Sequence, residues 1–275
     1  MPELPEVETI ANGLNSRVAN DVIESVWLGS KKEPLKSSAK EIARTLDGAR
    51  IKKVRRVGKH IVFDLERKKE KAQWIVHLGM SGRMVIAEAG AEIAKHTHAI
   101  AKLRSGRELR FVDPRRFGRL SVMPGKNGDS SAGFTGPGSE PLGIDFVEFM
   151  KLFRKRDTPI KAALLNQKLL HGVGNIYADE SLYRAGIRPR RRAGQLTRTE
   201  LARLHSAIQI VLKEAIALGG SSVSDYVDAS GEEGFFQLQH RVYGRTNAYC
   251  YVCKTPIKRI VVAGRGTHYC PKCQI

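Results

Sequence analysis

The sequence predicts an α+β fold in which a β-rich first part, a helical second part and a small cysteine-rich tail follow one another. Three observations carry this. Eight short β-like runs fall between residues 22 and 124, four helical patterns follow a Gly/Ser-rich stretch, and all four cysteines lie in the last 26 residues. With 275 residues and 41% hydrophobic content the chain has material for a sizeable core, and it exceeds the usual ~100 to 200 residues per domain.

Val7, Ile10, Leu14 and Val18 recur at helical spacing, with Pro5 near the first turn where its missing N–H is harmless. The runs 22–28, 50–57, 60–65, 74–78, 83–86, 98–103, 108–112 and 119–123 are mostly separated by glycine or charged turns. So many short strands suggest a β-sandwich or barrel, with a helix over 38–46 inserted in it. Residues 125–138 (GKNGDSSAGFTGPG) lack periodicity and read as a linker. Helices are expected over 146–154, 159–170, 175–185 and 199–218, with Thr197 or Thr199 as a cap and Gly219-Gly220 as a stop. A polar loop from Ser221 to Gly234 leads to the tail. The expected boundaries are 1–124, a linker over 125–140, then 141–238 and 239–275.

Lys and Arg outnumber Asp and Glu by 47 to 28, for a net charge of +19. The surplus is concentrated: 151–203 carries +9 and 239–275 carries +7, while 204–238 carries −4. Such segments call for an acidic partner, and nucleic acid is the first choice. The acidic start, Met1 to Glu8, is unlike a basic export signal, and no run approaches the ~18 apolar residues of a membrane span. A cytoplasmic protein without membrane contact is expected.

Cys250-Tyr-Val-Cys253 and Cys270-Pro-Lys-Cys273 offer four thiolates on two tight knuckles, the donor set of a closed tetrahedral zinc site. A redox Cys-x-x-Cys pair is the alternative, but it needs a pair opening a helix after a strand. Between the knuckles a small basic hairpin is expected, with residues 260–262 as one strand and Arg265 near its tip. His171-Gly-Val-Gly-Asn175-Ile176 reads either as an interhelical turn or as a phosphate cradle at a helix N-terminus.

If Met1 is removed, Pro2 becomes a secondary α-amine with a pKa near ~8, so on the order of 10% is neutral at neutral pH. Such an amine can attack a sugar aldehyde carbon and give an iminium ion, with Glu3 beside it to carry protons. Met-Pro-Glu is also an ordinary way for a chain to begin. Met80, in HLGMSG, and Arg115 and Phe117, in DPRRFG, sit in glycine-flanked turns. Apolar wedges at such turns fill the gap when a base leaves the stack; core packing is the competing reading. His96 and His98 suggest a strand-borne metal pair without a third ligand, and a phosphate contact or a surface role is preferred.

Taken together, Pro2-Glu3-Leu4-Pro5-Glu6, Lys59 in VGKH, the Met80 turn, the turn 113–118, residues 172–178 and the four-cysteine tail occur in an order that resembles the bacterial formamidopyrimidine-DNA glycosylase family. The resemblance runs from the first residue to the last cysteine. It implies an N-terminal β-sandwich with flanking helices, a helix-two-turns-helix domain and a zinc finger with one structural zinc ion. It also implies a monomeric bifunctional repair enzyme, working on damaged double-stranded DNA at the bacterial nucleoid. Oxidised purines are removed and the strand is then nicked. By the same resemblance Pro2 is the Schiff-base nucleophile, Glu3 the proton donor at the sugar and Lys59 a strand-borne lysine at the lesion. Arg265 becomes the finger arginine that contacts phosphate and assists the second elimination. His96, Arg115, Arg156 and Asn175 grip the DNA backbone, and Met80, Arg115 and Phe117 fill the void and face the orphaned base.

One segment departs from the family pattern: Gly231-Glu-Glu-Gly234 stands where a basic residue and proline are common, which bears on lesion preference. Two other readings compete. An endonuclease VIII-type enzyme for oxidised pyrimidines shares Pro2-Glu3 and the finger, although Leu4-Pro5 and the Met80/Arg115/Phe117 trio favour the purine enzyme. A non-catalytic zinc-finger nucleic-acid binder would explain the charge and the cysteines but gives no reason for Pro2-Glu3 together with Lys59.

Overall fold

A computed structural model of the chain describes residues 1–31, 33–68, 70–124, 133–222 and 232–275. It divides into two units, Met1–Thr135 with Ser221–Gly234, and Gly136–Gly220 with Phe235–Ile275. The segment 221–234, grouped with the helices on sequence, therefore clusters with the first unit, and the cysteine-rich tail clusters with the helices.

In the first unit α1 (Leu4–Val18) turns the predicted stripe of Val7, Ile10, Leu14 and Val18 inward. β1 (Ile23–Leu28) follows, then α2 (Ala39–Leu46), whose first turn is capped by Ser38 accepting from the Glu41 N–H. The remaining strands are β2 (Arg50–Val57), β3 (His60–Arg67), β4 (Glu70–His77), β5 (Arg83–Glu88), β6 (Thr97–Leu103), β7 (Arg107–Val112) and β8 (Arg119–Pro124). They form two antiparallel four-stranded sheets, β1-β6-β7-β5 and β2-β3-β4-β8. Phe63 and Trp74 from one sheet, Met84 and Phe111 from the other, and the apolar stripe of α1 belong to a single core. The predicted β-sandwich with flanking helices is the observed architecture. β4 begins four residues before its apolar run, because its charged end stays paired with β3 out to Arg67 and Glu70.

The second unit holds α3 (Phe146–Phe153), α4 (Ile160–Leu165), α5 (Asn175–Ala185) and α6 (Arg198–Ala217). Thr197 caps α6 in a reciprocal box with Glu200, resolving the choice between Thr197 and Thr199. The helix expected over 159–170 stops at Leu165. Asn166 folds its side chain back to accept the Lys168 N–H at 3.0 Å, a local bond that competes with helical pairing. Gly219 and Gly220, at φ +74° and +84°, end α6. At Phe235 the chain comes back to the end of α6: Phe235 N–H donates to Leu218 O at 2.8 Å and Phe236 N–H to Gly220 O at 2.9 Å. In the tail, β9 (Lys258–Val262) and β10 (Arg265–Tyr269) form the expected hairpin, closed by Ala263 and Gly264 with φ +48° and +73°.

The root of the tail is fastened to α5 by buried Glu180, whose carboxylate accepts the N–H groups of Arg241, Val242 and Tyr243 at 2.9, 3.0 and 2.8 Å. Burial nevertheless pushes this carboxyl above its ordinary range. Beside it His240 packs edge-on against Phe236 and Tyr243, and burial lowers its pKa to about 4. Unfolded, the ring titrates near ~6.5, so between these values the unfolded chain binds more protons and stability falls as pH drops through the window. Thermal melting from pH 6.5 down to 4 is therefore expected to decline less steeply for His240→Gln than for the native chain. Parallel declines would assign the acid sensitivity elsewhere.

Candidate functional site

The N-terminus is built into the first helix. Glu3 is the N-cap of α1: its side chain accepts the Glu6 N–H, while the Glu6 carboxylate accepts the Glu3 N–H at 2.7 Å. Glu3 is buried and Pro2 half-buried, so the first residues of the chain are held against the protein. The second Glu6 oxygen accepts the Ser221 N–H at 2.8 Å, tying the start of the 221–234 segment to the same carboxylate. Glu8, farther along α1, pairs with Arg56 at 2.5 Å, and Arg56 also donates to Gly58 O at 3.3 Å. That contact brings the β2–β3 turn to the beginning of α1. Buried Lys59 lies in this turn, after Gly58 at φ +57°, and so at a hairpin corner and not within a strand as expected.

Met80, Arg115 and Phe117 are exposed at turn tips, with 38% of Met80 and 48% of Phe117 accessible; neither side chain is in the core. The Arg115 guanidinium lies 5.0 Å from the centre of the Phe117 ring. Their two turns abut backbone to backbone. A Cβ on Gly79 would lie 2.6 Å from both Phe117 C and Gly118 N, so only glycine permits this approach. His96 is exposed at φ +68°, while His98 is buried with Nε2 3.0 Å from Asp113 O. These two histidines are therefore not presented as a pair.

In the second unit Asn175 opens α5 and donates to Gly266 O at 3.0 Å, placing it beside exposed Arg265 at the start of β10. The preceding glycine turn is organised by Gln167, which accepts the Gly172 N–H at 3.0 Å and donates to Val173 O at 2.8 Å. Arg156 is exposed just after α3, in a corner where Gly194 packs so closely that a Cβ would come within 2.7 Å of Arg156 N.

The sulfur atoms of Cys250, Cys253, Cys270 and Cys273 all lie within 4.8 Å of one another, with pairs at 3.4 and 3.8 Å. A tetrahedron of ~2.3 Å zinc–sulfur bonds has edges near ~3.8 Å, so the donor set and spacing fit zinc. All four cysteines are free of disulfides. The Tyr183 hydroxyl contacts Cys250 Sγ at 3.2 Å and the Cys273 N–H donates to Cys270 Sγ at 3.4 Å, contacts that suit thiolates. Hydrogen bonds from the Thr255 side chain and backbone hold the Cys253 thiol down at about 6.

Three family models match the sequence: Formamidopyrimidine-DNA glycosylase N-terminal domain over residues 1–120, Formamidopyrimidine-DNA glycosylase H2TH domain over 137–227, and Zinc finger found in FPG and IleRS over 250–275. The formamidopyrimidine-DNA glycosylase of Desulfitobacterium hafniense (strain DSM 10664 / DCB-2) is 42% identical over 280 residues, covering 100% of both chains. The chain belongs to the formamidopyrimidine-DNA glycosylase family. Two solved structures agree. Lactococcus lactis Fpg in complex with abasic-site DNA has a TM-score of 0.89 at 34% identity, covering 99% of each chain. MutM (Fpg) from Thermus thermophilus has a TM-score of 0.85 at 41% identity, covering 99% of this chain and 98% of that one.

In this glycosylase-family chain several residues that hold the site were not legible as such. Glu6 is one, although Glu3-x-x-Glu6 has the spacing of a capping box. Lys161 and Asp179 are another pair: they meet at 2.7 Å with both side chains fully buried. Lys161 Nζ donates to Gly266 O at 3.0 Å and Thr267 Oγ1 at 2.8 Å, and Asp179 accepts the His268 N–H at 2.8 Å. Every residue from 266 to 268 is thus pinned immediately after Arg265. The signal was a lone lysine in the apolar helix IKAALL. Of the 221–234 segment, 223–231 lies outside the described residues; Glu232 and Glu233 are exposed, and Gly234 N–H donates to Ser222 Oγ at 2.9 Å.

Proposed function

We propose that this family member is a bifunctional DNA glycosylase and abasic-site lyase of base-excision repair, removing 8-oxoguanine and formamidopyrimidines from double-stranded DNA and nicking by β,δ-elimination. The observation that carries this reading is the N-terminal arrangement, with Pro2 directly before a buried Glu3 that Glu6 fixes through both backbone and side chain. With Met1 removed, the neutral Pro2 nitrogen attacks C1′ of the damaged nucleotide. The glycosidic electron pair leaves with the base, which takes up the proton that the newly bonded Pro2 nitrogen gives up. Glu3 delivers a proton to the ring oxygen as the sugar opens, leaving an iminium ion between Pro2 and C1′. That cation makes the C2′ hydrogen acidic; its loss expels the 3′ phosphate, and a further proton loss at C4′ expels the 5′ phosphate, with Arg265 on the departing phosphate. Water then frees the amine.

Met80, Arg115 and Phe117 take the space of the extruded nucleotide, and His96, Arg156 and Asn175 contact backbone phosphates. Zinc on the four cysteines, with no open position, folds the finger and takes no part in the chemistry. The reading describes a monomer working on chromosomal DNA in the bacterial cytoplasm. Among the described residues no helix is long and apolar enough to cross a membrane. Support comes from the Lactococcus lactis relative, a glycine-to-proline mutant of which was solved with Fapy-dG-containing DNA. The wild-type form of that relative was also solved with DNA containing an oxidised pyrimidine, which keeps a pyrimidine-directed activity as the second reading.

Borohydride trapping separates these readings. A duplex with one 8-oxoguanine is expected to give a covalent adduct and a nick, faster than a duplex with an oxidised pyrimidine. The reverse order would make the enzyme endonuclease VIII-like, and no adduct together with no released base on either duplex would leave only a binding protein.

A further inference from the structure

We infer that Asp113 is the positioning residue that sets Met80, Arg115 and Phe117 as one wedge; this rests on the void-filling role given to those three side chains above. Asp113 is fully buried. Its Oδ1 accepts the Ser81 hydroxyl at 2.6 Å and the Arg115 N–H at 3.2 Å, and its Oδ2 accepts the Gly118 N–H at 2.8 Å. One carboxylate therefore binds the residue after Met80, Arg115 itself and the residue after Phe117. Ser81 Oγ also lies 3.3 Å from the Arg115 nitrogen, closing a small ring of donors and acceptors between the two turns.

The backbone of Asp113 extends the same knot. Its N–H donates to His96 O at 3.0 Å, and its carbonyl receives the Arg116 N–H at 3.3 Å and faces His98 Nε2 at 3.0 Å. Four positions assigned to DNA, on three separate turns, are thus linked through one fully buried residue. The steric side of the design agrees: a Cβ on Gly118 would come within 2.4 Å of Phe111 Cζ and 3.1 Å of Asp113 Oδ2.

Chemistry dictates a carboxylate here. Three donors converge on two oxygens, and a carboxylate accepts on both, whereas an amide presents N–H groups on one side. In Asp113→Asn at least one buried donor then faces another donor, a cost that works by loosening the turns.

A double-mutant cycle tests this against a merely structural role. Asp113→Asn is expected to lower excision of 8-oxoguanine from duplex DNA about ten-fold in the native background. In a Met80→Ala/Phe117→Ala background it should cost less than about two-fold, since the wedge it sets is already gone. An equal loss in both backgrounds would overturn the proposal. Ser81→Ala runs the same cycle with a gentler lesion should the asparagine variant fail to fold. A second readout needs no activity: amide exchange at Arg115 and Gly118 in the free protein should accelerate in either variant, and unchanged protection would also overturn the inference. Were the native enzyme itself unable to form a borohydride adduct, the proposed function would fail, while the exchange measurement would still decide the role of Asp113.

Discussion

A chain that keeps Met1, or carries any residue ahead of Pro2, is expected to form no borohydride adduct and to leave damaged DNA unnicked. With Met1 in place the Pro2 nitrogen is an amide whose lone pair is delocalised into the carbonyl, and it cannot attack carbon. A lysine offers no substitute at neutral pH, because an ordinary ε-amine is neutral to well under ~0.1%. Pro2→Gly restores a primary amine and should retain part of the lyase activity. Glu3→Gln should bind DNA but release no base, since the amide neither gives nor takes the ring-opening proton, whereas Lys59→Ala should be milder. Mass spectrometry of the reduced complex locates the linkage; DNA on Lys59 with Pro2 unmodified would refute the nucleophile assignment.

Cys250→Ser should cost the whole finger. The buried cluster around the cysteines consists of Val242, Cys250, Ile257 and Cys270, far too little apolar material to fold 26 residues unaided. Structural zinc in such fingers contributes on the order of 10 kcal/mol, so losing one ligand unfolds the hairpin and releases Arg265 from its place. Elemental analysis should show the metal lost and DNA affinity should fall. Full metal content with unchanged affinity would sink the assignment. The helices should survive, because the Lys161–Asp179 pair and Glu180 belong to α4 and α5, although an unfolded hairpin leaves Lys161 without its Gly266 and Thr267 acceptors.

What the sequence displayed was periodicity and spacing. The stripe of α1, the β2 run, the α5 boundaries and the cysteine knuckles were all legible because each depends on residues close in the chain. Where local bonds compete, the reading slipped: Leu169 and Leu170 continue the helical spacing of α4, but Asn166 captures the backbone first. Long-range pairing was invisible. Nothing near Glu70 announces that its charged strand end pairs with Arg67, and nothing near Ser221 announces that Glu6, 215 residues away, holds its N–H. The site divides the same way. The cysteine knuckles stand out by residue type and spacing, whereas Pro2-Glu3 is by itself an ordinary chain start, and Glu6, Asp113 and Asp179 are carboxylates whose meaning lies in which N–H groups come to them.

The return of the chain at Leu218–Phe236 has an evolutionary corollary. Because Phe235 and Phe236 bond directly to Leu218 and Gly220, the departure and re-entry points of the intervening segment are already neighbours. A change in its length then adds little closure free energy, each doubling costing only ~0.6 kcal/mol. Insertions and deletions between Ser222 and Gly234 are therefore expected to leave the Leu218–Phe235 and Gly220–Phe236 bonds in place, so the stretch that carries exposed Glu232 and Glu233 can change in size and charge independently of the helices.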